Sequence, residues 1–482
     1  MKQCQPFIDG EFIHSKATEM IPVLNPSTGE IISEIPECTI EETRRAIDAA
    51  ERAQKSWAKV PAIERAGYLR KIAQKLRENF HHFVRIISEE QGKIMSLAEA
   101  EVNFTADYID YMAEWARRYE GEIIQSDRPN ENILLFKVPI GVIGGVLPWN
   151  FPLLLIARKM APALVTGNTI VIKSSEETPN NAYEFAKLVA ETDLPAGVFN
   201  LVFGKGATVG NELASNPKIG MISFTGSVET GSRIMAAAAK NITKVSLELG
   251  GKAPAIVMED ADIDLAVSSI KASRVINSGQ ACNCAERVYV HEKIAESFIA
   301  KMSAAMSSTK YGDPLSENDL EMGPLINEQS LAKVEALVSR AVTAGANVVT
   351  GGKRANRDKG YFYEPTVLTN VTHDMEIMQK EIFGPVLLIR TFKDLDEAIE
   401  LANDSEYGLT SSIYTQNLDI AMRACKEIKF GETYVNRENF EAIQGFHAGM
   451  RKSGIGGADG KHGLEEYLQS HIVYIQYDLN KK

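Results

Sequence analysis

Apolar residues recur at helical spacing through the first quarter of the chain. Thr39 and Glu42 have the form of a capping box, and Ala46, Ala50, Ala53 and Trp57 follow on one face. Pro61 opens a second helix with Leu69, Ile72, Ala73, Leu76 and Phe80 as its stripe, and the period continues through Tyr108, Tyr111 and Trp115. From Gly121 the period shortens to two. The runs GEIIQSD and ENILLFKV, joined by Arg128, Pro129 and Asn130, predict a hairpin. Beyond it the short apolar strands TIVIK, FNLVF, MISF and KVSLEL alternate with helical stretches, the order of a parallel sheet covered by helices. The alternation resumes after Gly250 and Gly251 with APAIVM, RVYV, PVLLIRTF, SSIYT and TYVNR, separated by helices such as residues 395–402. A last β-prone run, residues 470–477, needs a sheet edge to be stable, one that a partner subunit could supply.

Residues 138–157 carry almost no polar side chain and have the length of a membrane span. Pro139, Pro148 and Pro152, with Gly141, Gly144, Gly145 and Asn150 between them, would interrupt such a helix, so the segment reads as buried strand, turn and helix start. A chain of 482 residues exceeds what one core organises, which sets the expectation at two α/β domains. Its formal charge of −12 argues against a nucleic-acid surface or an anionic membrane as partner. The opening MKQCQPFIDGEF has neither an export signal nor an Arg-rich presequence, and a cytoplasmic protein is expected. The cysteines Cys4, Cys38, Cys282, Cys284 and Cys425 are odd in number and scattered, so reduced thiols are expected, and no zinc spacing is present.

Several turns carry candidate chemistry. Cys282, in SGQACNCAERVYV, follows a Gly-Gln pair between a helix and a strand, where a thiol can face a cleft. Glu248 ends a strand in LELGGK and has the place of a general base. Asn150, between two prolines in PWNFP, is a stiffly mounted amide suited to an oxyanion. Lys173 and Glu176 follow a strand in VIKSSE, where ligands collect in open α/β sheets. FTGSVETG and FGKGATVG are glycine-rich turns that let backbone amides approach a pyrophosphate, although neither is GxGxxG. Taken singly, each has an ordinary structural meaning: an inert thiol, a paired acid, an Asx turn, a surface charge or a helix cap.

Taken together and in order, PWN, the Lys-x-x-Glu after a strand, FTGS, LELGGK, GQAC and IFGP resemble the aldehyde dehydrogenase superfamily over essentially the whole chain. The resemblance implies two open parallel α/β domains plus a small β element for oligomerisation. Residues 1–120 and 139–250 are then expected to bind NAD, residues 251–445 to be catalytic, and residues 121–138 and 446–482 to form the oligomerisation hairpin and C-terminal strand region. It implies Cys282 as nucleophile, Glu248 as the base that activates water, and Asn150 as oxyanion donor with the main-chain N–H of Cys282. Lys173 and Glu176 are expected on the adenosine ribose, and Gly206, Gly210, Gly226, Ser227 and Gly231 around the diphosphate. Glu381 and Phe383 are expected on the nicotinamide half, with Phe224 and Leu249 also among the cofactor residues. A carboxylate at Glu176 would accept from a ribose 2′-OH and repel a 2′-phosphate, favouring NAD over NADP. Many relatives have Pro at Ser174 and a second acid at Lys380, and both departures adjoin cofactor residues.

The runs AEWARRYEGEIIQSDRP, VINSGQACNCAERVYV and NRENFEAIQGFHAGMRKSGIGGADGKHG are similar to the branch of the superfamily that oxidises lactaldehyde and glycolaldehyde. They bring Asn283, Glu441 and His447, which join Arg158 as candidates to hydrogen-bond a 2-hydroxyl group. No metal is expected, and a homo-oligomer built on dimers, with a tetramer favoured, is. Two other readings use the same residues. A thiol hydrolase would employ Cys282, Glu248 and Lys252 without a nucleotide, and a structural relative would have kept the fold and lost turnover.

Overall fold

The computed structural model describes residues 2–479. Its first large sheet has eight strands in the spatial order Gly454–Ile455, Lys244–Glu248, Ile219–Thr225, Val142–Val146, Thr169–Lys173, Phe199–Val202, Phe7–Ile8 and Glu11–Phe12. The five from Lys244–Glu248 to Phe199–Val202 are parallel, and antiparallel strands from the chain's two ends close the edges. From Val142–Val146 the chain winds outward on one side and returns through Ile219–Thr225 on the other. The C-terminal ends of those two adjacent strands therefore form the switch point at which open α/β sheets bind ligands. Gly144 and Gly145 allow this centre to be tight: a Cβ at either would come 2.6 Å from an isoleucine methyl of Ile222 or Ile172 on the flanking strands.

The hydrophobic segment that passes a membrane-length test is strand Val142–Val146, a turn, and helix Pro152–Val165, as its glycines and prolines dictate. Every residue of that helix is buried, which explains the near absence of polar positions. Among the described residues no helix is long and apolar enough to cross a membrane. The capping box at Thr39 and Glu42 forms and starts helix Ile40–Trp57, and Pro61 precedes helix Ala62–Glu78.

The second large sheet has seven strands in the order Asn347–Thr350, Thr366–Thr369, Val386–Phe392, Ala285–His291, Ala253–Val257, Thr410–Tyr414 and Glu432–Val435, all parallel except the first. Separate apolar clusters cover its two faces, consistent with a sheet buried on both sides. A small mixed sheet, Met20–Leu24 antiparallel to Ile31–Pro36 and Lys2–Gln3 parallel to it, accounts for the β-like opening of the chain.

The predicted hairpin is present as Glu122–Ile124 and Glu131–Pro139. Leu468–Gln476 finds its sheet edge within its own chain, pairing antiparallel with Glu131–Pro139 along nine residues, so no partner subunit is needed for that pairing. Sequence separation conceals the match, because the two strands lie more than 300 residues apart. The resulting three-stranded sheet keeps Ile123, Phe136, Ile472, Tyr474 and Ile475 exposed. A chain ending at Tyr467 leaves Glu131–Pro139 as a bare apolar edge, and it is expected to elute as heterogeneous high-mass species in size-exclusion chromatography; a single peak at the full-length position would contradict this pairing as a requirement.

Candidate active site

Cys282 sits just beyond an irregular turn. Helix Ile263–Val275 gives way at Asn277, Ser278 and Gly279, whose φ angles of 47°, 60° and 76° are all left-handed. Non-glycine residues hold such angles only where their surroundings over-determine them. Here Asn277 Nδ2 donates to Asn150 O at 3.1 Å, Ser278 Oγ to Gly323 O at 2.8 Å, and Gln280 Nε2 to Asn277 O at 3.0 Å. Gln280 Oε1 accepts from Ile326 N at 2.9 Å, and Arg274 binds Gly279 O. Gly279 has a further reason to be glycine, since a Cβ would lie 2.3 Å from Gly384 O.

The turn bearing Asn150 is anchored by a buried ion pair. Lys93 pairs with Glu101, donates to Asn150 O at 2.7 Å, and stands 3.8 Å over the Phe151 ring. Glu101 accepts from Leu153 N and Leu154 N, capping the helix that follows. One N–H of the Asn150 amide donates to Gln280 O at 3.1 Å, which fixes the side chain between the two turns. Glu248 ends its strand opposite Gly454 and is buried with neither carboxylate oxygen hydrogen-bonded. Burial pushes its carboxyl up to about 8, against the pull of His447, Arg158 and Lys159.

Two cavities meet at Cys282, Glu248, Asn150 and Thr225. The outer one, about 220 Å³, is lined by Gly226, Ser227, Leu249, Glu381 and Phe383 from the expected cofactor set, and by Trp149, Ser330 and Lys333, which sequence reasoning missed. Burial also raises Glu381, to about 7, although it accepts from Gly251 N at 2.9 Å. Lys173 and Glu176 form a separate group, paired at 2.8 Å, with Gly206 N donating to Glu176 at 3.1 Å. Gly210 lies in the turn Gly206–Gly210 beside them. Phe224 and Gly231 are packing positions: a Cβ at Gly226 would meet the Phe224 ring at 2.4 Å, and one at Gly231 would meet Leu249 at 2.7 Å.

The inner cavity, about 50 Å³, has apolar walls from Phe151, Leu154, Leu155, Ile276 and Phe440, and a polar end formed by Arg158, Asn283, Glu441 and His447. All four candidate hydroxyl ligands therefore converge. Arg158 is bidentate to Asp459, at 2.9 and 2.7 Å, and also donates to Glu441 at 2.8 Å. Asn283 donates to the other oxygen of Glu441 at 2.6 Å. Burial alone would raise the Glu441 carboxyl, but His447 and Arg158 hold it down at about 2, so it is an ionised acceptor. Sequence reasoning missed Asp459 and Lys159. Lys159 is a buried lysine that donates to Thr225 and Ser223 at 3.0 and 3.2 Å, and burial lowers it to about 7.

The profile of the aldehyde dehydrogenase family matches residues 12–473. The chain belongs to the aldehyde dehydrogenase family. It is 64% identical to lactaldehyde dehydrogenase of Escherichia coli (strain K12) over 470 residues, covering 98% of each chain. A crystal structure of lactaldehyde dehydrogenase from Escherichia coli superposes with a TM-score of 0.98, covering 98% of this chain and 99% of that one. A D-glyceraldehyde dehydrogenase (NADP(+)) of Picrophilus torridus is 39% identical over 475 residues, 98% of this chain and 96% of that protein. Betaine aldehyde dehydrogenase from Staphylococcus aureus, solved in complex with NAD+, has 36% identity and a TM-score of 0.97 over 100% of this chain and 99% of that one. Family members thus bind NAD or NADP.

In this aldehyde dehydrogenase the IFGP loop is held by a residue that motif reading passed over. Glu286 is a glutamate on a strand, Ala285–His291, in which every position is buried. It pairs with Lys252 at 2.6 Å and Arg274 at 3.2 Å, and accepts from Ile382 N and Phe383 N at 3.0 and 3.1 Å. Burial opposes its charge, but Lys252 and Arg274 hold it down at about 2. Lys252, the nominal lysine of a thiol hydrolase, is thus locked in this pair and lines neither cavity. Glu286→Ala strands two buried cations and is expected to cost about 3–5 kcal/mol. Denaturant titration reads this as a clear fall in midpoint, and an unchanged midpoint would refute the pairing as structural.

Proposed function

We propose that this aldehyde dehydrogenase oxidises a small 2-hydroxyaldehyde, lactaldehyde or glycolaldehyde, to its carboxylic acid and prefers NAD. The observation that carries this reading is the inner cavity: it is small, it ends at Cys282, and its far end presents an ionised carboxylate, Glu441, oriented by Arg158 and Asn283. A 2-hydroxyl group donates to a remaining lone pair of such an acceptor, whereas an unsubstituted aldehyde leaves that lone pair without a donor. The 64% identity to an enzyme named lactaldehyde dehydrogenase supports the same substrate class.

In the proposed reaction the Cys282 thiolate adds to the aldehyde carbon. The Asn150 amide and the Cys282 N–H stabilise the resulting oxyanion, a contribution of about 3–4 kcal/mol per donor in comparable sites. A nicotinamide dinucleotide held by Gly226, Ser227, Leu249, Glu381 and Phe383 would supply the hydride acceptor for oxidation of the adduct to a thioester. The outer cavity suits such a group. It runs from the glycine turn at Gly226 to Cys282, and the Lys173 and Glu176 pair beyond it fits a ribose. The Glu176 carboxylate disfavours a 2′-phosphate, which supports NAD over NADP. Glu248 takes a proton from the water that attacks the thioester, and oxygens without a hydrogen bond leave it open to that water. The exposed apolar side chains of the three-stranded sheet support a homo-oligomer of dimers, with a tetramer favoured.

The test is a panel of aldehydes read by NADH or NADPH formation. Lactaldehyde and glycolaldehyde are expected to exceed an unsubstituted aldehyde of equal length in kcat/KM by at least about tenfold, the worth of one lost hydrogen bond. NAD is expected to exceed NADP. Equal turnover of the unsubstituted aldehyde overturns the substrate assignment. A second expectation concerns pH. With its carboxyl raised to about 8, Glu248 is largely protonated at neutral pH and gains base form as pH rises through that value. Under conditions where thioester hydrolysis limits turnover, kcat should climb through about pH 8 in the wild type and be low and flat in Glu248→Gln; identical profiles would remove Glu248 from that step.

A further inference from the structure

We propose that His447, set between the Glu432 carboxylate and the Glu248 and Cys282 side of the inner cavity, is the fixed counter-cation of the Cys282 thiolate. The inference deepens the reading of Cys282 as nucleophile and rests on it. His447 is buried, and its backbone is pinned by paired hydrogen bonds with Ala458 at 2.9 and 2.8 Å. Its Nδ1 stands 2.5 Å from Glu432 Oε1, and Tyr434 donates its hydroxyl to the other Glu432 oxygen. Its Nε2 stands 3.6 Å from Glu248 Oε2, and the ring lines the same small inner cavity as the Cys282 thiol.

A neutral imidazole has one donor and one acceptor nitrogen. Here Nδ1 meets the Glu432 carboxylate and Nε2 faces Glu248 across the cavity that holds Cys282, so once Glu248 or Cys282 ionises both nitrogens face anions and the doubly protonated ring is favoured. Glu441 and Asp459 add negative charge on the inner-cavity side, where Arg158 binds both, and Lys159 faces Glu248 from the helix beneath. Burial works against a charged His447, yet Glu441, Cys282, Glu432 and Glu248 lift it well above the usual histidine range. Burial likewise pushes the Cys282 thiol up, and the His447 ring is the main influence pulling it back.

The thiol gives up its proton once, to the Glu248 carboxylate and from there to water, and the sulfur keeps the electron pair. That pair forms the carbon–sulfur bond of the adduct and returns to sulfur when hydrolysis breaks the thioester. His447 neither gains nor loses a proton. The proton released in each turnover comes from the attacking water by way of Glu248.

Thiolate content is measured without aldehyde or dinucleotide, by the rate of iodoacetamide alkylation at Cys282 across pH, read by peptide mass spectrometry. Wild type, His447→Gln and Glu432→Gln are compared, with exposed Cys425 in the same samples as internal reference. The Cys282 midpoint is expected to rise by at least about one pH unit in His447→Gln, slowing alkylation about tenfold below it, with Glu432→Gln intermediate and Cys425 unchanged. A Cys282 profile coincident with wild type in His447→Gln, or in Glu432→Gln if the former does not fold, overturns the proposal. So does a loss confined to hydroxyaldehyde turnover with alkylation unaltered, which would make His447 a substrate ligand only. NADH formation by the wild type decides the dehydrogenase reading separately, because alkylation needs neither substrate.

Discussion

A carboxyl group buried without a hydrogen-bond partner is costly in its charged form, and the fold accepts that cost at Glu248. Satisfying either oxygen with a backbone amide would stabilise the chain and lower the carboxyl's basicity. The cost is tolerable because the surroundings are rigid. Gly226 N is occupied by the Glu248 carbonyl at 3.0 Å, Leu249 N by Ser453 O at 2.8 Å, and the Gly250 carbonyl by Ser453 Oγ at 2.7 Å. The backbone on both sides of the side chain is therefore fully committed, and the carboxylate cannot relax onto it.

The same economy governs the two turns that face Glu248. Asn150 and Cys282 lie on segments that cross-link one another, Asn277 to Asn150 O and Asn150 Nδ2 to Gln280 O, so neither turn can move alone. The Lys93 and Glu101 pair stiffens the first turn, and Arg274 and Gln280 stiffen the second. Left-handed backbone at Asn277 and Ser278 survives only under such restraint. Preorganisation of this kind lets a weak amide dipole contribute substantially where charge develops.

What was legible in the sequence follows from this division. Alternating strands and helices, the capping box at Thr39, the hairpin at Arg128 to Asn130 and the turns bearing Cys282, Glu248 and Asn150 are written in contiguous residues. The pairings that hold those turns are not. Glu286 with Lys252, Arg158 with Asp459, and Glu432 with His447 join positions separated by 15 to 301 residues, and no local pattern marks a charged side chain as one half of a buried pair. A charged residue inside an otherwise apolar element was the available signal, as at Glu286 on its buried strand and Lys159 on its buried helix. The C-terminal strand was visible as a strand, while its partner was hidden by distance along the chain.

Charge balance joins the site's two tasks. Around the inner cavity Arg158, Lys159 and His447 stand against Glu248, Glu432, Glu441 and Asp459, all of them mostly buried. A surplus of carboxylates would by itself repel a sulfur anion and suppress the nucleophile. Arg158 prevents this by binding Asp459 with two nitrogens and Glu441 with one, so these acids act as hydrogen-bond acceptors more than as bare charge. Glu441 can then remain ionised at the end of the cavity that would take a hydroxyl group, a few side chains from a thiol that must also ionise. Under the proposed assignment, neutralising Arg158 would thus disturb substrate orientation and thiol ionisation together, because Asp459 and Glu441 share its guanidinium.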